Sequence, residues 1–183
     1  MERHDWNGPM VALGLLLAGL LMLSEVAAAG RSIDRRHAAE RAWDPYIAQM
    51  SAALERHEQR AATRAWYDAR AMALAQGRAE GLLDVADAYR RLAGATGVPD
   101  GGASVARELY LSALFRARSE RSLAAVVRAT EGFESLGDAA VVVHGLRVAR
   151  GVAAADPDSA AQERLQALAA RAAVSPRADT ARF

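Results

Sequence analysis

The chain has no cysteine and no lysine, and nowhere do apolar and polar residues alternate for more than a few positions. Without cysteine, disulfides, zinc–thiolate sites, thiol nucleophiles and c-type haem attachment are excluded. Without lysine, the glycine-rich stretch at residues 94–102 has no Walker residue to follow it, and no strand precedes it, so it reads as a connector. All 23 basic residues are arginine, interleaved with 22 acidic ones for a net charge of +1, so no field gathers nucleic acid and none is expected as a partner. The codon usage of a GC-rich genome accounts for the arginines more simply than a bidentate phosphate-binding surface does. The missing alternation argues against a sheet, and an aromatic content of only 5% argues against a thick mixed core. About a quarter of the chain is alanine, the best helix former, whose small side chain lets helices approach closely. The fold class is all-α.

No catalytic signature is present: there is no GxSxG nucleophile elbow, dinucleotide fingerprint or HExxH pair. The chain does not read as an enzyme, and neither a cofactor nor a metal is expected. Its histidines, His4, His37, His57 and His144, are widely spaced. Asp34, His37 and Glu40 share a helical spacing that suits a weak metal site or, more simply, a solvated face. His144 lies in an apolar run and reads as hydrogen-bonded core. Asp84 and Asp87, one turn apart and followed by Arg90 and Arg91, read as ion-pairing residues, with Asp87 and Arg91 spaced for an i,i+4 pair.

What the chain does have is an uncharged run at residues 10–23, MVALGLLLAGLLML. Widened to residues 6–24, it makes roughly 30 Å of helix, about one hydrocarbon core. Met10, Val11, Leu13, Leu15, Leu16, Leu17, Leu20, Leu21 and Leu23 are its span residues. Trp6 stands at the level of an interfacial belt, and Arg31, Arg35, Arg36 and Trp43 follow on the other side. The expectation is an uncleaved single-pass anchor in a bacterial inner membrane. Arginine asymmetry puts the rest of the chain on the cytoplasmic side. The competing reading is a secretory signal cut before Gly30, after Ala27 and Ala29, which releases a periplasmic protein. Residues 31–43 form an amphipathic stretch that lies on anionic headgroups or serves as a solvated linker helix.

Beyond Asp44-Pro45, a helix-start signal, the three-four spacing of apolar residues continues to the C-terminus. Residues 46–76 read as one long helix, or as two meeting near His57–Arg60, closed by Gly77. Helices follow over residues 80–92, 104–117, 122–136 and 138–154. The run at 139–148 is apolar nearly all round and is expected to be the most buried. A last helix follows Asp156-Pro157, with a frayed tail from Ser175. Leu111 and Phe115 make a second apolar face on the 104–117 helix, which asks for neighbours on two sides. Arg116, Arg118, Arg121 and Arg128 form the densest basic patch, read as a solvated surface or as a docking site for an acidic partner.

Paired helices near 61–93, 104–136 and 138–173 repeat at the period of helical-repeat proteins. Residues 63–92, TRAWYDARAMALAQGRAEGLLDVADAYRRL, resemble a tetratricopeptide unit, with Trp66 at the large first-helix position and Gly77 at the turn. Arg70, Ala73 and Leu82 depart from the pattern. The resemblance implies hairpins stacked as a short solenoid whose surface binds a peptide or partner protein. A plain helical bundle has the same hydrophobic pattern. The expected organisation is an anchor at 1–29, a juxtamembrane linker at 30–60, a helical domain at 61–173 and a tail at 174–183. The expected function is a membrane-anchored interaction or scaffold protein, with the bilayer and membrane-associated proteins as partners. A structural accessory subunit of an energy-transducing or photosynthetic complex is the alternative.

Overall fold

The three-four spacing of apolar residues becomes seven helices, with no strand among the described residues: α1 Asp44–Glu55, α2 Gln59–Gln76, α3 Ala79–Thr96, α4 Gly101–Glu120, α5 Leu123–Ser135, α6 Ala139–Ala153 and α7 Ser159–Thr180. The computed structural model describes residues 41–98, 101–154 and 156–180, without the side chains of 101 and 175–180. The anchor, Trp6, Arg31, Arg35, Arg36 and the Asp34–His37–Glu40 group lie outside the described residues. Among the described residues no helix is long and apolar enough to cross a membrane.

Each of the first five turns carries one residue with left-handed backbone: His57, Gly77, Gly97, Arg121 and Gly137. Such a residue ends a helix by turning its amide back onto the last carbonyls, as Gly77 N–H does to Ala73 O at 3.1 Å. Glycine adopts this conformation freely, whereas His57 and Arg121 do so against a steric penalty of roughly 1–2 kcal/mol. Residues 46–76 therefore form two helices, α1 and α2, broken at His57.

Substantial helix contacts run only between a helix and the next one or two along the chain. The closest pairs are α1 with α2, α3 with α4 and α5 with α6, followed by α7, so the pairing is shifted by one helix from the sequence expectation. The odd-numbered helices also pack side by side, α1 on α3, α3 on α5 and α5 on α7. In the even-numbered row α4 packs on α6. The compact helical unit begins at Ala42, so α1 belongs to it rather than to a linker ending at residue 60.

Small residues set the helix separations. Ala62, Ala65, Ala69 and Ala73 make the buried stripe of α2. Gly81 of α3 leaves room for the Trp43 ring, which a Cβ there would approach to 2.9 Å, and Gly132 of α5 does the same for Tyr110 at 2.7 Å. Trp43 is thereby corrected. It was expected at a membrane interface, but it is 0% exposed in the first core layer, with its indole N–H on Asp84 Oδ2 at 2.8 Å.

Three further expectations change. α6 buries only Val142, Gly145, Leu146 and Ala149, a single face, and leaves His144 exposed rather than in the core. Leu111 and Phe115 are exposed, so the second apolar face of α4 is not buried among the described residues. Helix α7 continues to Thr180 past Pro176, where a frayed tail was expected.

Candidate functional site

The odd-numbered row is held together by charge. Arg128 of α5 reaches back to α3, with Nη2 at 2.7 Å from Asp84 Oδ1 and 2.5 Å from Asp87 Oδ2. Asp87 also accepts the Tyr110 hydroxyl at 2.5 Å, and Asp84 accepts the Trp43 indole. One helix further on, Glu131 and Glu134 of α5 pair with Arg164 and Arg171 of α7. Asp87 thus pairs across the row with Arg128, and Arg91, its expected partner on the same helix, stays exposed.

The N-termini of α3 and α5 are satisfied by carboxylates further along the chain. The amide of Ala79, which opens α3, donates to Glu120 Oε1 at the end of α4. The amide of Leu123, which opens α5, donates to Asp156 Oδ2 just before α7. The Asp158 amide, the larger contributor, and the Leu123 amide together hold the carboxyl of Asp156 below its usual range. At α7 the relay closes on itself, because Ala161 N–H donates to Asp158 Oδ1 three residues back. One first-turn amide in each of α3, α5 and α7 is thus matched by a carboxylate, a favourable arrangement at the positive end of a helix dipole.

The Tyr110 hydroxyl reports on this network. Burial, with Asp87 as its hydrogen-bond acceptor, pushes its pKa from 10.0 to about 12. The folded chain therefore holds that proton more tightly than the unfolded one. The stability this contributes is complete below about pH 10 and is lost as pH rises through about 12, a loss of about 2–3 kcal/mol. Urea titrations across that window should show the slope in the wild type and a flatter one in Tyr110→Phe. Equal slopes would mean that the hydroxyl carries no such load.

The four arginines expected to form one patch are dispersed. Arg128 is committed to Asp84 and Asp87. Arg116 lies with its guanidinium against Gly77 at the α2–α3 turn. Arg118 and Arg121 join His144, Arg147, Val148, Gly151 and Val152 in a cleft of about 550 Å³ between the C-terminal half of α4 and α6. None of these lining residues is acidic. The side chains of Arg118, Arg121 and Arg147 have no carboxylate partner among the described residues and are exposed, whereas Val148 and Val152 are half-buried. The second cleft, of about 460 Å³ against α3, α5 and α7, mixes Arg78, Arg128 and Arg164 with Glu80 and Glu120, so its charges largely balance.

His144 and Arg147 were missed as cleft residues because the run around them is so apolar. The available signal was their spacing: with Gly151, they fall at i, i+3 and i+7, opposite the small and apolar face at 142, 145, 146 and 149. Among the described residues no group of three or more potential metal ligands comes together. No family model matches the chain, and neither a characterised protein nor a solved structure matches it.

Proposed function

We propose that the chain is an interaction protein without catalytic activity of its own. In this reading an N-terminal span at residues 10–23 holds it in a bacterial inner membrane, and stacked hairpins of the tetratricopeptide type dock on a partner protein. The packing order carries the reading. Helices touch only their near neighbours in the chain, as in a repeat stack, where each unit contacts only the next. Bonds from one hairpin to the next recur at separations of 33 to 45 residues, at or above the period of about 34 of a tetratricopeptide unit. Such a stack presents long helix faces to a partner.

A second reading, a permanent accessory subunit of a larger membrane complex, is favoured by the even-numbered row. Tyr67 and Leu74 of α2, Leu111 and Phe115 of α4 and Val143 of α6 are all exposed there. Exposed apolar residues gathered on one row suit a surface that is covered in the assembly.

Purification of the full chain from its native membrane tests both. The interaction reading expects it in the membrane fraction with a partner that high salt removes. A stoichiometric partner that survives high salt favours the subunit reading. A chain recovered from the soluble fraction, with an intact mass beginning at Gly30, contradicts the anchor.

A further inference from the structure

Arg128, Arg164 and Arg171 on the odd-numbered row are spent on carboxylates, whereas the cleft between α4 and α6 brings three arginines together without a carboxylate partner among the described residues. We propose that this cleft is a docking site for an acidic peptide segment of a partner protein. The carboxylates of that segment are held by Arg118, Arg121 and Arg147, and its backbone crosses Gly151 between Val148 and Val152. The proposal deepens the interaction reading above and rests on it.

Charge complementarity is the first argument. Three guanidinium groups without a lining acid repel one another, and an incoming set of carboxylates relieves that repulsion while forming fork-like hydrogen bonds. Size is the second. A volume of about 550 Å³ lies in the range of pockets that hold ligands of many atoms, roughly 300–1,000 Å³, so a single phosphate or carboxylate ion leaves most of it empty.

The depth order is the third argument, and it separates a peptide from a bilayer. The cations stand exposed at the rim and the valines lie deeper. A membrane presents phosphate first and hydrocarbon beneath it, so the protein groups that reach furthest in should be the apolar ones. In this cleft that order is inverted, whereas a peptide with carboxylates on its flanks and an apolar side chain pointing down meets both layers. The faces beyond the cleft extend the match. Leu111, Phe115 and Arg118 lie at i, i+4 and i+7 on α4, and Val143, Arg147 and Gly151 at i, i+4 and i+8 on α6. With Leu111 43%, Phe115 57% and Val143 56% exposed, the apolar surface leads directly into the cationic one. The fitting segment therefore carries apolar residues on one side of its acidic cluster. No Phe, Tyr or Trp ring lines the cleft as a platform for successive bases, which disfavours a single-stranded nucleic acid there.

The test uses the full chain in detergent and a fluorescein-labelled peptide of leucines followed by glutamates, with its glutamine counterpart as control. The acidic peptide should bind at least about tenfold more tightly than the neutral one, and added salt should weaken it. In the triple variant Arg118→Ser/Arg121→Ser/Arg147→Ser that preference should vanish. The charge-matched variant Arg60→Ser/Arg64→Ser/Arg91→Ser, with its changes outside the cleft, should retain it, and the circular dichroism of both should match wild type. Equal affinity for the two peptides, an unchanged preference in the cleft variant, or stronger binding to phosphatidylglycerol vesicles than to the peptide would overturn the proposal. Purification from the native membrane separates this from the broader reading. A partner that stays with the cleft variant removes the cleft and leaves the interaction reading standing. No partner with either form, while the acidic peptide still binds, removes the interaction reading and leaves the cleft.

Discussion

Gly145→Ala should lower the unfolding free energy by about 3 kcal/mol, the upper range for an overpacked core, and the melting temperature by roughly 6–12 °C. Gly145 is buried in α6, where a Cβ would stand 2.3 Å from Thr130 Oγ1 and 2.7 Å from its Cγ2. Thr130 is 0% exposed, and its hydroxyl donates to Val126 O at 2.8 Å within α5, so it has no free direction in which to yield. The two helices must separate, which opens the layer that contains Val142, Leu146 and Phe133. Gly151→Ala in the same helix has open space around its Cβ and should be neutral, or stabilising by up to about 1 kcal/mol from helix propensity. Thr130→Ala should recover part of the Gly145→Ala loss, because it removes both of the closest atoms. If the two alanine variants melt together, α5 and α6 do not meet at Gly145.

Arg128→Met should cost about 2–3 kcal/mol, far more than the loss of any other arginine in the row. Removing it leaves Asp84 and Asp87, one turn apart on α3, without their cation, and breaking such a pair costs more than forming it contributes. The expected value sits below the 3–5 kcal/mol of a fully buried pair because the side chains are 32% exposed at Arg128, 17% at Asp84 and 37% at Asp87. Arg171→Met is the comparison. Its pair with Glu134 lies at the surface, with the arginine 51% exposed, and should be worth about 0.5 kcal/mol or less. In Asp84→Asn/Arg128→Met the loss should be smaller than the sum of the single variants by about 1 kcal/mol, since the double change no longer strands that carboxylate. Similar melting of Arg128→Met and Arg171→Met would show that the Arg128 network does not organise the stack.

The all-α class was legible because helix formers and three-four spacing run from Asp44 onward and no alternation competes with them. Gly77 and Ser122 were readable for a local reason, a left-handed end and an N-cap hydroxyl, here bonded to Ala125 N–H at 3.3 Å. The break at His57 was only half legible. A non-glycine residue in the left-handed conformation leaves no composition signal, so α1 merged with α2 and the pairing moved by one helix. Asp156 stands just before the last helix in the sequence, but its carboxylate serves Leu123 of α5, 33 residues earlier, and the neighbouring Asp158 caps α7. Trp43 failed for a related reason: next to arginines and a hydrophobic run it looks interfacial, and its partners Asp84 and Gly81 lie a full hairpin away. Long-range pairing also dissolved the arginine patch. Proximity in sequence placed Arg128 with Arg118 and Arg121, and the carboxylates of α3 drew it away. Short-range chemistry was thus readable from residues, whereas which charges remain free depended on which helices meet.

Photo-crosslinking in the native membrane tests the central claim most directly. A photoreactive phenylalanine analogue is placed at Phe115 and at Val143 beside the cleft, and at Arg91 on α3 as a control. The account predicts one discrete adduct with a second protein from the two cleft positions, in the membrane fraction, absent at Arg91 and lost when Arg118, Arg121 and Arg147 are serine. Adducts of equal yield from all three positions, or none from Phe115 and Val143, would contradict it.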